Sequence, residues 1–361
     1  GYPCFRSPRQ VAEAMKDMGV DVVALANNHC CDQFSRGINS TIGIIDSLEM
    51  QHIGVFRDSI DYKSNNICYL NHCNISFAIV NYTYGTNGLP TPKGKIVNRI
   101  DTVAMARDFA EIAKANVDCV IAVMHWGEEY QRKPNVTQLR LEKFMRRKGV
   151  DIIIGSHPHV IQPATCDPEQ GITLYSLGNF VSNQSKRYTD GGLIAVIDVI
   201  RIADEPLRYS LELIPVWVWR PTYTLIPPRI GDTLKLRVAD RRAYNIFIED
   251  VKKMHIICFL RDAGIPINSI SELFEEKNPE ATIAIIIEQQ EQVLREELGQ
   301  LQKQQRLLEA IKRELKEVDN FSVESIGDIA NIMKNKTIKI TGILLTLVML
   351  ATMLGMFSLT A

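Results

Sequence analysis

No charge of one sign dominates this chain. Lys and Arg number 41 against 42 Asp and Glu, a net charge of −1, so no global field draws nucleic acid or another polyanion to it. Any anion binding belongs to a local site. Cysteine is sparse: eight residues (Cys4, Cys30, Cys31, Cys68, Cys73, Cys119, Cys166, Cys258) are scattered over 361, and no C-x-x-C occurs. That excludes a disulfide-stapled scaffold and the usual thiolate metal knuckle, and it leans toward a reducing compartment. Cys30 and Cys31 are neighbours and cannot easily bridge each other. The glycine period of collagen and the low hydrophobicity of a disordered chain are absent too. With 46% hydrophobic residues the chain can bury one large core or two smaller ones.

Up to about residue 225, short β-branched runs alternate with helical patterns. Ser7-Pro8 reads as the cap and first turn of a helix closed by Gly19. Val22 to Leu25 reads as a buried strand, and Gly37 to Glu49 as a helix. Asp101 caps a helix to about Ala115, followed by a strand from Asp118 to Met124. A third unit runs from Asn135 through Lys148-Gly149 into the strand Asp151 to Ile154. Helix, Gly or Asn stop, then Asp and a β-branched run mark an α/β sheet. From Gly171 to Trp219 the pattern is strand-rich (Ile172 to Leu177, Gly192 to Ile200, Tyr209 to Pro215), as for antiparallel strands that finish a mixed sheet or build a second one.

Residues 226–243 form a linker, and 244–337 read as almost wholly helical. Ile287, Leu294, Leu301, Leu308 and Leu315 recur every seventh position, with Ile311 and Val318 in the partner row. This is a coiled-coil seam, although Gln290, Glu297 and Gln304 interrupt its partner row. The other reading is an amphipathic helix lying on its own domain. Residues 340–361 carry no charge over a length that spans a bilayer core. Lys334, Lys336 and Lys339 precede them, which puts the bulk of the chain on the cytoplasmic side by the charge rule.

Four of seven histidines follow predicted strands: His29 in Ala26-Asn27-Asn28-His29, His125 in His125-Trp126-Gly127-Glu128, and His157 and His159 in Gly155-Ser156-His157-Pro158-His159. The carboxyl ends of sheet strands are where α/β folds build sites, and imidazole is a ligand for Zn, Mn or Fe. An extended His-x-His places both rings on one face, stiffened here by Pro158. Gly127 and Gly155 would let the backbone approach an ion or phosphate. Asp32, three residues after His29, reads either as the carboxylate that sets its tautomer or as a helix cap. Glu128 is the preferred acidic member of the cluster, or the partner of Arg132. Asn179, ending a strand in Ser176-Leu177-Gly178-Asn179-Phe180, reads as a site contact or as a turn residue. His52, His72 and His255 read as structural.

Together these strings resemble the poly-gamma-glutamate capsule-synthesis family, the CapA-like proteins. The matching pieces are Gly1-Tyr2-Pro3 with Ser7-Pro8, Ala26 to His29 with Asp32, His125 to Tyr130, Gly155 to Pro163, Ser176 to Phe180 with Asn183-Gln184, and Asp190 to Gly192. The resemblance implies, over residues 1–225, an α/β fold of the calcineurin-like metallophosphoesterase type, an α-β-β-α sandwich lacking its first strands. The family's Gly-Asp and Asn-Leu-Glu motifs would lie before Gly1, and Phe34 stands where the family often has Gly. It further implies divalent metal (Mn, Zn or Fe, one ion or two) held by Asn28, His125, His157 and His159. His29 would donate a proton to the leaving group, with Asp32 and Glu128 assisting.

A weaker resemblance, from Tyr244 to about Thr337, is to the latter half of MerR-type regulators, whose long helix forms a dimer coil. The DNA-reading unit that should precede Tyr244 is absent, so nucleic acid is not an expected partner. The chain reads as a single-pass membrane protein, dimeric through its coil, acting on an anionic polymer or phosphoester in capsule synthesis or export. The flanking lysines place its bulk on the cytoplasmic side, whereas the family resemblance implies the extracellular side. The alternative is a non-catalytic, membrane-anchored dimeric scaffold.

Overall fold

The computed structural model describes residues 4–202, 205–262, 265 and 279–316, which fall into two compact units divided after Ile270. The first unit opens with helix α1 (Arg9–Asp17), whose N-cap is Pro8 and not Ser7. Strand β1 (Val22–Ala24) follows, then α2 (Phe34–Ser47), β2 (Gln51–Ile53), β3 (Val55–Phe56), α3 (Ser59–Asn65) and the hairpin β4 (Cys68–His72) and β5 (Ile75–Thr83). The short β6 (Ile96–Val97) leads to α4 (Thr102–Ala115), whose cap Asp101 accepts from the Val103 N–H. Strand β7 (Cys119–His125) precedes α5 (Val136–Arg147), which starts on a reciprocal capping box between Asn135 and Gln138. Then come β8 (Ile152–Ser156), β9 (Ala164–Asp167), β10 (Gly171–Leu174), β11 (Gly191–Ile200), β12 (Arg208–Trp219), β13 (Thr224–Ile226), α6 (Pro228–Gly231) and α7 (Val238–Asp262).

The main sheet has the order β4-β5-β7-β8-β10-β9. Its centre, β5, β7, β8 and β10, is parallel, and β4 and β9 are antiparallel edges. One face is covered by α4 and α5 through Met105, Phe109, Ile112, Leu141 and Met145. The other face meets a second sheet, the antiparallel β11-β12-β13. There Ile152, Ile172 and Leu174 pack against Ala195, Ile197, Leu211 and Leu213. Helix, sheet, sheet is thus the layer order, a mixed α/β architecture. Parallel strands buried on both faces account for the near-continuous apolar runs of β7 and β8.

Helix α7 belongs to this unit. Tyr244, Phe247 and Val251 are buried against Ile161, Leu193 and Trp217, so the core extends past residues 226–243. In the second unit α8 (Pro279–Lys316) is one continuous helix. Its sevenfold residues Ile287, Leu294, Leu301 and Leu308 are all exposed. The segment 340–361 lies outside the described residues. Among the described residues no helix is long and apolar enough to cross a membrane.

Candidate metal centre

Strands β1, β7 and β8 end at one edge of the first unit and deliver the four strand-end histidines together. The connection between them is polar and buried. Asn81 on β5 accepts from the Ala26 N–H at 2.6 Å and donates to the Val123 carbonyl at 3.0 Å, tying the end of β1 to β7. Gly54 makes that approach possible, because a Cβ there would stand 2.2 Å from Asn81 Oδ1.

Beyond this tie the loop places Asn28 and His29. Asn28 Oδ1 lies 2.9 Å from His125 Nε2, and Ser156 Oγ lies 3.0 Å from His125 Nδ1. Asn28 Nδ2 donates to Asn87 Oδ1. His29 Nδ1 is 2.7 Å from Asp32 Oδ2, and the same carboxylate oxygen accepts from the Phe5 N–H at 2.8 Å. Asp32 is no helix cap: the N-cap of α2 is Gln33.

The rings of His125 and His157 are 4.8 Å apart, and those of His157 and His159 are 6.2 Å apart. The expectation of an extended His-x-His is corrected. Both residues have left-handed backbones, φ 103° and 60°, and a tight bend brings the rings near each other. Such conformations in bulky residues persist only where the surroundings over-determine them. His159 Nδ1 meets Asn179 Oδ1 at 2.9 Å, which makes Asn179 a contact of the cluster.

Burial, then the charges of His157, His159 and His29, push His125 down to about 3. Burial likewise pushes His157 down to about 4, helped by His159 and His29 and opposed by Glu129. Both rings are therefore neutral near pH 7, the form that ligates metal. The carboxylate acting on His157 is Glu129, whereas Glu128 is exposed and accepts from the Asn135 side chain at 3.4 Å, at the start of α5. Arg132 goes elsewhere, over the ring of Tyr188.

Two observations bear on a metal. Asn28 Oδ1 and His125 Nε2 are separated by about the edge of a coordination shell with bonds of roughly 2.0–2.1 Å. His157 Nδ1 is buried with no hydrogen-bond partner, an uncommon condition that calls for an unseen partner. These donors fit a divalent ion. Among the described residues, as their side chains stand, no group of three or more His, Cys, Asp or Glu is arranged to hold one.

Several participants were not legible in the sequence. Tyr84 packs its ring 4.6 Å from that of His157, and Asn87 approaches His29 at 3.5 Å. Both follow β5, whose hairpin carries no strand pattern among those noted in the sequence. The turn-forming string Gly85-Thr86-Asn87-Gly88 was the available signal. Gly155 and Gly127 are demanded by packing. A Cβ on Gly155 would stand 2.0 Å from the Tyr175 carbonyl, and one on Gly127 would stand 2.8 Å from Gln138 Oε1.

A parallel-centred α/β sheet with imidazoles at its strand ends is the class this chain falls in. The family model described as "Bacterial capsule synthesis protein PGA_cap" matches residues 1–184, and the chain belongs to that family. The capsule biosynthesis protein CapA of Bacillus anthracis is 34% identical over 206 residues, covering 53% of this chain and 49% of that protein. The PGA biosynthesis protein CapA of Bacillus subtilis (strain 168) is 32% identical over 201 residues, covering 53% and 50%. The chain thus spans about half the length of the curated relatives it matches. Among solved structures it is similar to the calcineurin-like phosphoesterase YfkN from Bacillus subtilis (13% identity, TM-score 0.35, 68% of this chain and 73% of that one). It is also similar to a putative 5'-nucleotidase from Staphylococcus aureus (15% identity, TM-score 0.40, 67% and 44%).

Proposed function

We propose that the chain takes part in making or exporting an anionic capsule polymer, and that its strand-end cluster works as a metal-dependent hydrolase of a phosphoester-type bond. The helix-sheet-sheet layering supports the calcineurin-like sandwich that this reading needs. The observation that carries it is the pairing of Asn28 Oδ1 with His125 Nε2 beside the unpartnered Nδ1 of His157.

Asn28, His125, His157 and His159 would hold the ion. When bound, a divalent metal supplies an activated water and charge stabilisation at the ester oxygens. The other roles fall to the chain itself. Asp32 faces Nδ1 of His29 and would steady its imidazolium form, from which Nε2 would pass a proton to the leaving oxygen. Burial keeps His125 neutral, and Tyr84 packs against His125 and His157, shielding them from water.

The test is metal content of the purified full chain, with hydrolysis of a generic phosphodiester as the second readout. The expected result is at least one Mn, Zn or Fe per chain, lost in the His157→Ala, His159→Ala double variant along with hydrolysis. Less than one ion per chain at micromolar free metal would overturn the metal centre and leave the non-catalytic scaffold.

A further inference from the structure

The segment from Asn179 to Asp190 is fastened beside the histidines in an unusual way. Lys186 Nζ stands 3.6 Å from the centre of the Tyr130 ring. Two residues further along each segment the roles reverse, and the Arg132 guanidinium stands 4.2 Å from the centre of the Tyr188 ring. Tyr130 in turn stacks on His159, with ring centres 6.1 Å apart. Asn179 joins His159 Nδ1 to the Thr189 carbonyl, which accepts at 2.9 Å.

The backbone is shaped to hold this arrangement. Tyr130 and Tyr188 are both left-handed, φ 67° and 70°, a conformation that bulky residues adopt only under constraint. The Tyr130 N–H donates at 2.7 Å to the carbonyl of Pro158, the residue between the two histidines.

The positive charges here are unequally matched. Arg187 approaches Asp250 at 3.8 Å, and Arg132 also acts on that carboxylate. The exposed Lys186 side chain makes no ion pair among the described residues and rests on the Tyr130 ring. A cation resting on a ring is weakly held, so an anion reaching the histidines can recruit it at little cost.

We propose that Lys186, with Arg132 beside it, binds a substrate oxyanion, phosphoryl or carboxylate, and positions it against His157 and His159. This rests on the hydrolase reading for its purpose, but its test does not. The full-length chain is titrated calorimetrically with inorganic phosphate, alongside Lys186→Met, Lys186→Arg and Arg132→Met, with metal content measured on every sample. Phosphate should bind the parent chain, and Lys186→Met should weaken it by about tenfold or more, as for loss of a charge-assisted hydrogen bond. Lys186→Arg should restore most of the binding, and Arg132→Met should weaken it less than Lys186→Met.

A parent chain that binds no phosphate at millimolar concentration, or a Lys186→Met variant that binds it equally well, overturns the assignment. So does a Lys186→Arg variant that fails to rescue, since the lysine then only fastens the segment. Metal loss in His157→Ala, His159→Ala with the lysine dependence of phosphate binding intact would separate the two sites. A metal-free parent chain that still shows that dependence would sink the hydrolase reading and leave this one standing. Oligomeric glutamate in place of phosphate tells a carboxylate ligand from a phosphoryl one.

Discussion

At the residue scale, two buried positions show how little latitude the first unit's packing leaves. Gly155 sits in β8 with the Tyr175 carbonyl and the Trp126 indole nitrogen closer to where a Cβ would stand than a methyl group can tolerate. Gly155→Ala should cost about 1–3 kcal/mol by overpacking, read as a lower urea midpoint. An unchanged midpoint would mean that β8 and β10 can separate freely. Asp61 is the second case. Its carboxylate is buried and accepts from the Arg57 N–H, Arg57 Nε and Asn65 Nδ2, and it faces His52 Nε2 at 3.1 Å. Burial alone would raise its pKa, but these hydrogen bonds and the His52 and Arg57 charges together hold it below the ordinary aspartate value. Between the two values the unfolded chain binds the extra proton. The stabilisation is therefore present above the ordinary value and lost as pH falls through the lower one. Asp61→Asn should lower stability by about 2 kcal/mol at neutral pH, a buried pair discounted for the exposure of Arg57. It should also flatten the acid limb of a stability-against-pH curve; a parallel curve would show that Asp61 contributes nothing through its charge.

At the element scale, α8 presents Ile287, Leu294, Leu301 and Leu308 on one stripe, and Leu301 is 60% exposed. Isolated exposed leucines are ordinary, but a sevenfold row over 38 helical residues is the seam pattern of a coiled coil. The full-length chain in detergent should sediment as a dimer. Leu301→Asp with Leu308→Asp should give a monomer, because each unpaired charge in an apolar seam costs several kcal/mol. A parent chain that sediments as a monomer would leave the stripe as an amphipathic face for some other contact. Helix α7 behaves differently, since its apolar residues are consumed by packing on β11 and β12.

For the whole molecule, membrane attachment through residues 340–361 is an expectation that rests on composition alone. The run 340–361 carries no charge, while Lys334, Lys336 and Lys339 stand just ahead of it. Removing everything after Lys339 should move the protein from the membrane pellet to the supernatant, and high salt or carbonate should not release the parent chain. An arginine placed at Val348 should weaken insertion by roughly 2.5–3.5 kcal/mol on insertion scales. Release of the parent chain by salt alone would make the segment interfacial or buried.

The α/β class, the order of its main helices and strands and the placing of histidines at strand ends were legible in the sequence, because each depends on local patterns. Asp101 and Asn135 cap their helices by side-chain reach of two or three residues, and β7 and β8 announce themselves by unbroken apolar runs. The neighbourhood of Asp32 and His29 was legible for the same reason, three residues apart on one loop. What the tertiary structure decided depends on groups distant along the chain. Asn81 reaches Ala26 across 55 positions, Asn28 meets His125 across 97, and no period in the sequence reports either. The left-handed backbones of His157 and His159 arise from the surroundings of the bend, which is why their spacing suggested an extended segment. The reciprocal contacts of Lys186 with Tyr130 and Arg132 with Tyr188 likewise exist only once two loops lie side by side. Local propensity is written along the chain, whereas the meeting of its distant parts is set by how the sheets close.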